Sequence, residues 1–142
     1  MINTKLTRKA MILAYNAHIN QFDRSGVPYI YHPICLAEQM DSENEVIIAL
    51  LHDVVEDTNI AFEELEKEFP IDVIRVLKLL THDKNIDYMD YIREISKDDI
   101  AKKIKIADII HNSDETRLDK VGLKDIARRE KYKKALAILE NK

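Results

Sequence analysis

Turn punctuation is scarce in this sequence: two glycines and three prolines are spread over 142 residues. β-Hairpins close on Gly or Asn turns, so such a chain is a poor source of them. The single cysteine, Cys35, excludes an internal disulfide and fits a reducing compartment. Basic excess is missing as well. Lys and Arg total 22 against 26 for Asp and Glu, a formal net charge of −4. General nucleic-acid binders carry a basic surplus, so that partner class is set aside. A small anion needs only local cations or a metal and stays open. The opening "MINTKLTRKAMILAYNA" lacks a signal-peptide layout. The apolar run from Val46 to Leu51 is far shorter than the ~20 residues of a membrane span. The expectation is one soluble cytoplasmic domain over residues 1–142, with no membrane partner and the oligomeric state open.

Helical periodicity fills the chain. Leu6, Ala10, Leu13, Ala14 and Ala17 follow helical spacing, which predicts a helix from Leu6 to Phe22. "DRSGVPYIYHP" interrupts it, and Pro33 suits the first position of a new helix, with His32 at its mouth. Ser42 and Glu45 spell a capping box for a helix from Glu43 through "VIIALLHDVVED". Further helices are predicted at Phe62–Phe69, Pro70–Leu80, "NIDYMDYIREIS", "DDIAKKIKIADIIHN" and Lys124–Leu139. Strand–helix alternation and repeats are lacking, so the class is all-α with short connections.

Within this pattern "ALLHDVVEDT" stands out, because an apolar helix abruptly carries His52, Asp53, Glu56 and Asp57. At about 100° per residue the four share one face of a continuous helix. Two readings compete. The helix leaves the core for solvent there, or its carboxylates have a partner such as a divalent cation. His with Asp suits zinc, manganese, iron or cobalt. In "KIKIADIIHN", Asp108 sits among isoleucines, and Lys105 and Asn112 fall within about 60° of it. Its partner is either the lysine or a metal. His111 points off that face and reads as a packing or capping residue. Glu56 and Asp57 are an acidic helix exit, or carboxylates one turn above a metal site and placed for proton transfer. Arg24, Lys105 and Arg117 are the cations nearest these blocks and suit phosphate contacts. Tyr29 and Asn112 are pocket-lining candidates, with core packing the alternative for Tyr29.

His32, His52–Asp53 and Asp108 reproduce an H…HD…D order. With it, "AHINQFDRSGVPYIYHP", "ALLHDVVEDT" and "IKIADIIHN" resemble the three signature blocks of HD-domain phosphohydrolases. The branch they look like is the (p)ppGpp hydrolase domain of stringent-response synthetase/hydrolases and their small stand-alone relatives. "RREKYKKALAIL" also looks like the latter. The resemblance implies a compact HD-domain helical bundle with His32, His52, Asp53 and Asp108 holding one divalent ion, Mn²⁺ in that branch. It makes Glu56 and Asp57 the pair that works on the nucleophilic water. It also implies a small phosphorylated nucleotide as substrate and pyrophosphate leaving the 3′ position. No synthetase domain is expected in this stretch.

Two positions depart from the branch. Asp23-Arg24 replaces an Arg-Lys pair whose arginine packs on the guanine base, and Phe69-Pro70 replaces Phe-Gly. An aspartate cannot stack on a base and repels phosphate, so Asp23 bears on base selection and leaves the metal chemistry untouched. The rival expectations are an HD phosphohydrolase for another nucleotide or phosphoester and a non-catalytic metal-binding sensor.

Overall fold

Helix α3 (Glu43–Leu51) dictates the arrangement of the others. Six consecutive side chains, Val46 to Leu51, are all buried. A helix that is apolar all round has to be surrounded. α3 packs against α1 (Lys5–Ala17), α2 (Tyr31–Ala37), α6 (Ile71–Leu80) and α8 (Asp99–Asn112). The last of these packs in turn against α7 (Tyr88–Ile95) and α9 (Leu123–Leu139). The short helices α4 (Val54–Asp57) and α5 (Phe62–Glu66) and a 3-10 turn at Glu115–Arg117 complete the path. The computed structural model describes residues 1–141. Among these the fold is all-α, and extended pairing is limited to one isolated bridge between Phe22 and Pro28. No described helix is long and apolar enough to cross a membrane.

Helix starts are chemically marked. The side chains of Thr4, Ser42, Asp87 and Asp98 each accept a backbone N–H of the first turn that would otherwise lack a partner. α6 buries Val73, Ile74, Val76, Leu77 and Leu80 along one stripe. Each such side chain contributes about 1.5–3 kcal/mol when fully buried.

Several boundaries differ from the sequence expectation. The first helix ends at Ala17, because Asn20 takes a left-handed φ of 68° and His18 turns into the core. Residues 21–29 then fold back as a paired loop, with Asp23 N–H donating to Val27 O (2.8 Å) and Tyr29 N–H to Gln21 O (2.9 Å). Pro33 is the third residue of α2, so His32 lies inside its first turn. The Ser42 box is one-sided: Glu45 turns instead to Asp41 N–H (3.1 Å) and Lys103 (2.7 Å). α5 stops at Glu66, and Phe69 drops into the core. The helix expected to run from Glu43 through Asp57 breaks at His52–Asp53, where Asp53 has φ −106° and ψ 1°.

Candidate metal centre

That break carries the chemistry. His52 donates Nδ1–H to the carbonyl of Ala49 at 2.7 Å, since the carbonyl can only accept. The proton is thereby fixed on Nδ1, and Nε2 is left as a bare lone pair. Nε2 is buried without a hydrogen-bond partner, 3.0 Å from Asp53 Oδ2 and 3.5 Å from Asp108 Oδ1. His32 Nε2 approaches the same Asp108 oxygen at 2.8 Å. One ligand atom from each of His32, His52, Asp53 and Asp108 lies within 4.8 Å of the others. A ring of buried acceptors needs a positive charge at its centre. The two imidazoles and two carboxylates therefore fit a borderline divalent cation. In the protein alone burial disfavours charge on His52, but Asp53 and Asp108 raise its pKa well above the ordinary value.

The surrounding groups fix these ligands, as metal sites require. Asp108, 5% exposed, accepts from Lys105 Nζ (2.8 Å) through one oxygen and from Asn112 Nδ2 (3.1 Å) through the other. Burial opposes the Asp108 charge, but Lys105 and the histidines hold its pKa well below the usual range. Tyr29 donates its hydroxyl to Asp53. Burial and the Asp53 charge push the phenol far up, so it stays a donor. His32 Nδ1 lies 2.6 Å from His111 Nδ1, and the rings are nearly parallel. Burial, with Arg117 nearby, lowers His111 to about 4, so it is neutral. With His32 Nε2 used as a ligand, its Nδ1–H donates to His111.

Two cavities flank the cluster. One, of about 220 Å³, is lined by Phe22, Arg24, Tyr29, Asn112, Arg117 and Arg128, among others. The second, of about 180 Å³, is lined by His52, Asp53 and Asp108 together with Glu56, Lys105 and Lys131. Glu56 is held there by the backbone N–H of His82, donated at 2.8 Å.

Residues 10–112 match the family described as HD domain. The chain belongs to the HD-domain family. Its relatives include the guanosine-3′,5′-bis(diphosphate) 3′-pyrophosphohydrolase MESH1 of Danio rerio, 35% identical over 123 residues and covering 78% of this chain and 68% of that one. A Borreliella burgdorferi protein, named guanosine-3′,5′-bis(diphosphate) 3′-pyrophosphohydrolase, is 35% identical over 121 residues, which are 73% of this chain. The chain spans only 18% of that bacterial relative's length. A solved structure of a metazoan SpoT ortholog, described as hydrolysing ppGpp and playing a role in starvation responses, matches with a TM-score of 0.78 and 26% identity. The match covers 99% of this chain and 86% of that one.

The HD-domain site gathers most of the residues expected from the sequence. His32, His52, Asp53 and Asp108 converge, and Glu56 shares a cavity with the last three. Arg24, Tyr29, Asn112 and Arg117 line the larger cavity, while Lys105 lines the smaller. Asp57 lines neither, although burial and the charges of Asp53 and Glu56 push its carboxyl up to about 6. Three expectations change. Asp23 does not face the cavity as a bare charge. Its Oδ1 accepts from Ser25 N–H (2.9 Å) and Val27 N–H (3.0 Å), and Arg117 lies 3.7 Å from Oδ2. Arg24 is committed to Asp125 by a two-pronged ion pair, its second prong at 3.1 Å. That pairing holds Asp125 below the usual carboxylate range. His111 is more than packing, since it orients His32. Helical projection missed it because a terminal imidazole reaches back across the turn. Asp125 had a visible signal, the Gly122-x-x-Asp125 start of α9, where Asp125 accepts Gly122 N–H at 2.8 Å.

Proposed function

We propose that this HD domain is a metal-dependent phosphohydrolase that removes pyrophosphate from the 3′ position of a guanosine 3′,5′-bis(diphosphate)-like nucleotide. The observation that carries the reading is the shared cavity: His52, Asp53 and Asp108 of the two-His, two-Asp cluster face one space with Glu56. The names of the zebrafish and Borreliella relatives supply the substrate class. His32, His52, Asp53 and Asp108 would hold one divalent ion, Mn²⁺ in this reading. The ion would supply electrophilic activation of a phosphoryl oxygen and of water.

The chain's own groups manage the protons. The water oxygen bonds to the inner phosphorus of the 3′-pyrophosphate as the bond from that phosphorus to the ribose 3′ oxygen breaks. Glu56 takes the proton from water, with the His82 N–H fixing its carboxylate. Asp57 lies outside both cavities; raised to about 6, it retains a fraction of its proton near neutral pH and would pass it to the leaving 3′ oxygen through a water. Tyr29 keeps Asp53 oriented, and Lys105 with Asn112 does the same for Asp108. The larger cavity, with Phe22, Tyr29 and three arginines, receives the nucleoside.

A second reading, a different nucleotide on the same chemistry, draws support from Asp23, which provides no cationic plane for a base. A Mn²⁺-supplemented screen of phosphorylated nucleotides that includes ppGpp, with products identified by mass, tests both. GDP and pyrophosphate from ppGpp are the expected products. Turnover of another nucleotide with ppGpp untouched would favour the second reading, and turnover of none would leave a metal-binding sensor.

A further inference from the structure

The cations that line the two cavities are not equivalent. Arg24 is paired with Asp125, Arg117 lies near Asp23, and Arg128 lies 3.4 Å from Asp125. Lys105, deep in the second cavity, is paired with Asp108. Lys131 alone among these five lining cations has no carboxylate partner among the described residues. Its ammonium sits 4.0 Å above the ring of Tyr88 and faces the cavity that holds Glu56 and the Asp53–Asp108 pair.

Its other neighbours worsen its position. Burial, Lys105 and Arg128 all disfavour its charge. An aromatic face offers a cation modest stabilisation, about 0.5–1 kcal/mol at exposed sites. A lysine kept on a ring beside two cations, with no anion of its own, is completed by an anionic ligand. The ligand has to enter the cavity that touches both the metal cluster and Glu56. In a substrate cut at its 3′-pyrophosphate, the group on that side is the pyrophosphoryl group, while the nucleoside lies in the larger cavity.

We propose that the cavity between Glu56 and Lys131 receives the pyrophosphoryl group, and that Lys131 binds its outer phosphate. Lys105, paired with Asp108 at 2.8 Å, orients that side chain and adds positive charge to the same cavity. This assignment rests on the reading of the centre as a 3′-pyrophosphohydrolase.

The test uses the Mn²⁺-loaded full chain and two probes, inorganic pyrophosphate and GDP, which lacks the 3′ group. Binding is measured by calorimetry at fixed Mn²⁺, and pyrophosphate is also assayed as an inhibitor of hydrolysis. Loss of one charge-assisted contact should weaken pyrophosphate about tenfold or more in K131A. K131R should restore it to within a few-fold, and GDP should bind all three proteins alike. Lys131 is exposed on α9, so both variants should melt like the parent. Equal pyrophosphate affinity in parent and K131A overturns the proposal, as does an equal loss of GDP binding. If K131A loses pyrophosphate but the parent never cleaves ppGpp, the anion site stands and the substrate reading falls. If ppGpp is cleaved and K131A binds pyrophosphate normally, the site assignment falls alone.

Discussion

At the scale of single residues, the centre is built from groups whose proton positions are fixed by neighbours. The Ala49 carbonyl chooses the tautomer of His52, and Lys105 with Asn112 fixes Asp108. Glu56→Gln removes the proposed base without altering size. It should keep its metal by elemental analysis and lose turnover by about 100- to 10,000-fold. Parental turnover in that variant would return Glu56 to a plain helix exit. Asp57 gives a pH prediction for the metal-free protein. Its folded value, about 6, lies above the ordinary 3.8. A raised carboxyl contributes stability that is present below 3.8 and lost as pH rises through about 6. Asp57→Asn carries no charge at any pH. Its melting temperature should therefore exceed the parent's at pH 8, and the gap should close near pH 4. A gap independent of pH would mean that Asp57 is not a strained carboxylate.

At the scale of elements, the loop from Gln21 to Tyr29 and the break between α3 and α4 position the site. The loop is closed by Asp23 from within and tied by Arg24 to the start of α9. Replacing Asp23 with arginine, to supply the absent stacking plane, would also remove the side-chain acceptor of two backbone N–H groups. Asp23→Ala should cost about 1 kcal/mol, in line with lost caps. It should also raise KM for the cleaved nucleotide, since Tyr29 and Arg24 ride on this loop. Asp23→Asn keeps the acceptor and should stay near the parent in stability and KM. Steady-state kinetics and thermal melts on the pair separate the loop role from a charge effect. If Asn and Ala behave alike, the charge matters and the backbone bonds do not.

At the scale of the whole molecule, the proposed metal site and the core are linked, because two of the proposed ligands follow the end of the buried helix α3 and a third lies on α8. An ion that binds only the folded chain stabilises it, by about 2.7 kcal/mol at 100 times its Kd. Chelation should lower the melting temperature of the parent and leave Asp108→Ala unmoved; an equal fall in both would remove Asp108 from the ligand set. Leu50 is fully buried in α3, and Leu50→Ala should cost about 2–5 kcal/mol by denaturant titration.

The sequence by itself determined the helical class, the apolar run of α3 from Val46 to Leu51 and, through the resemblance of its motif blocks, the grouping of His32, His52, Asp53 and Asp108. These follow from periodicity and from ordered motifs, which are local or directly visible. The ends of elements were less legible. α1 stops at Ala17 because Asn20 turns left-handed, and α3 breaks at Asp53, events that helical spacing does not register. Only the tertiary structure decided which charges are free. Arg24 is neutralised by Asp125, 101 residues away, and Asp23 is held by its own loop and lies near Arg117, whereas Lys131 is left with a ring and no carboxylate among the described residues. Charge pairing depends on distances through space between segments far apart in the chain. A residue's type announces that it can bind phosphate, and the fold determines whether its charge is already spent.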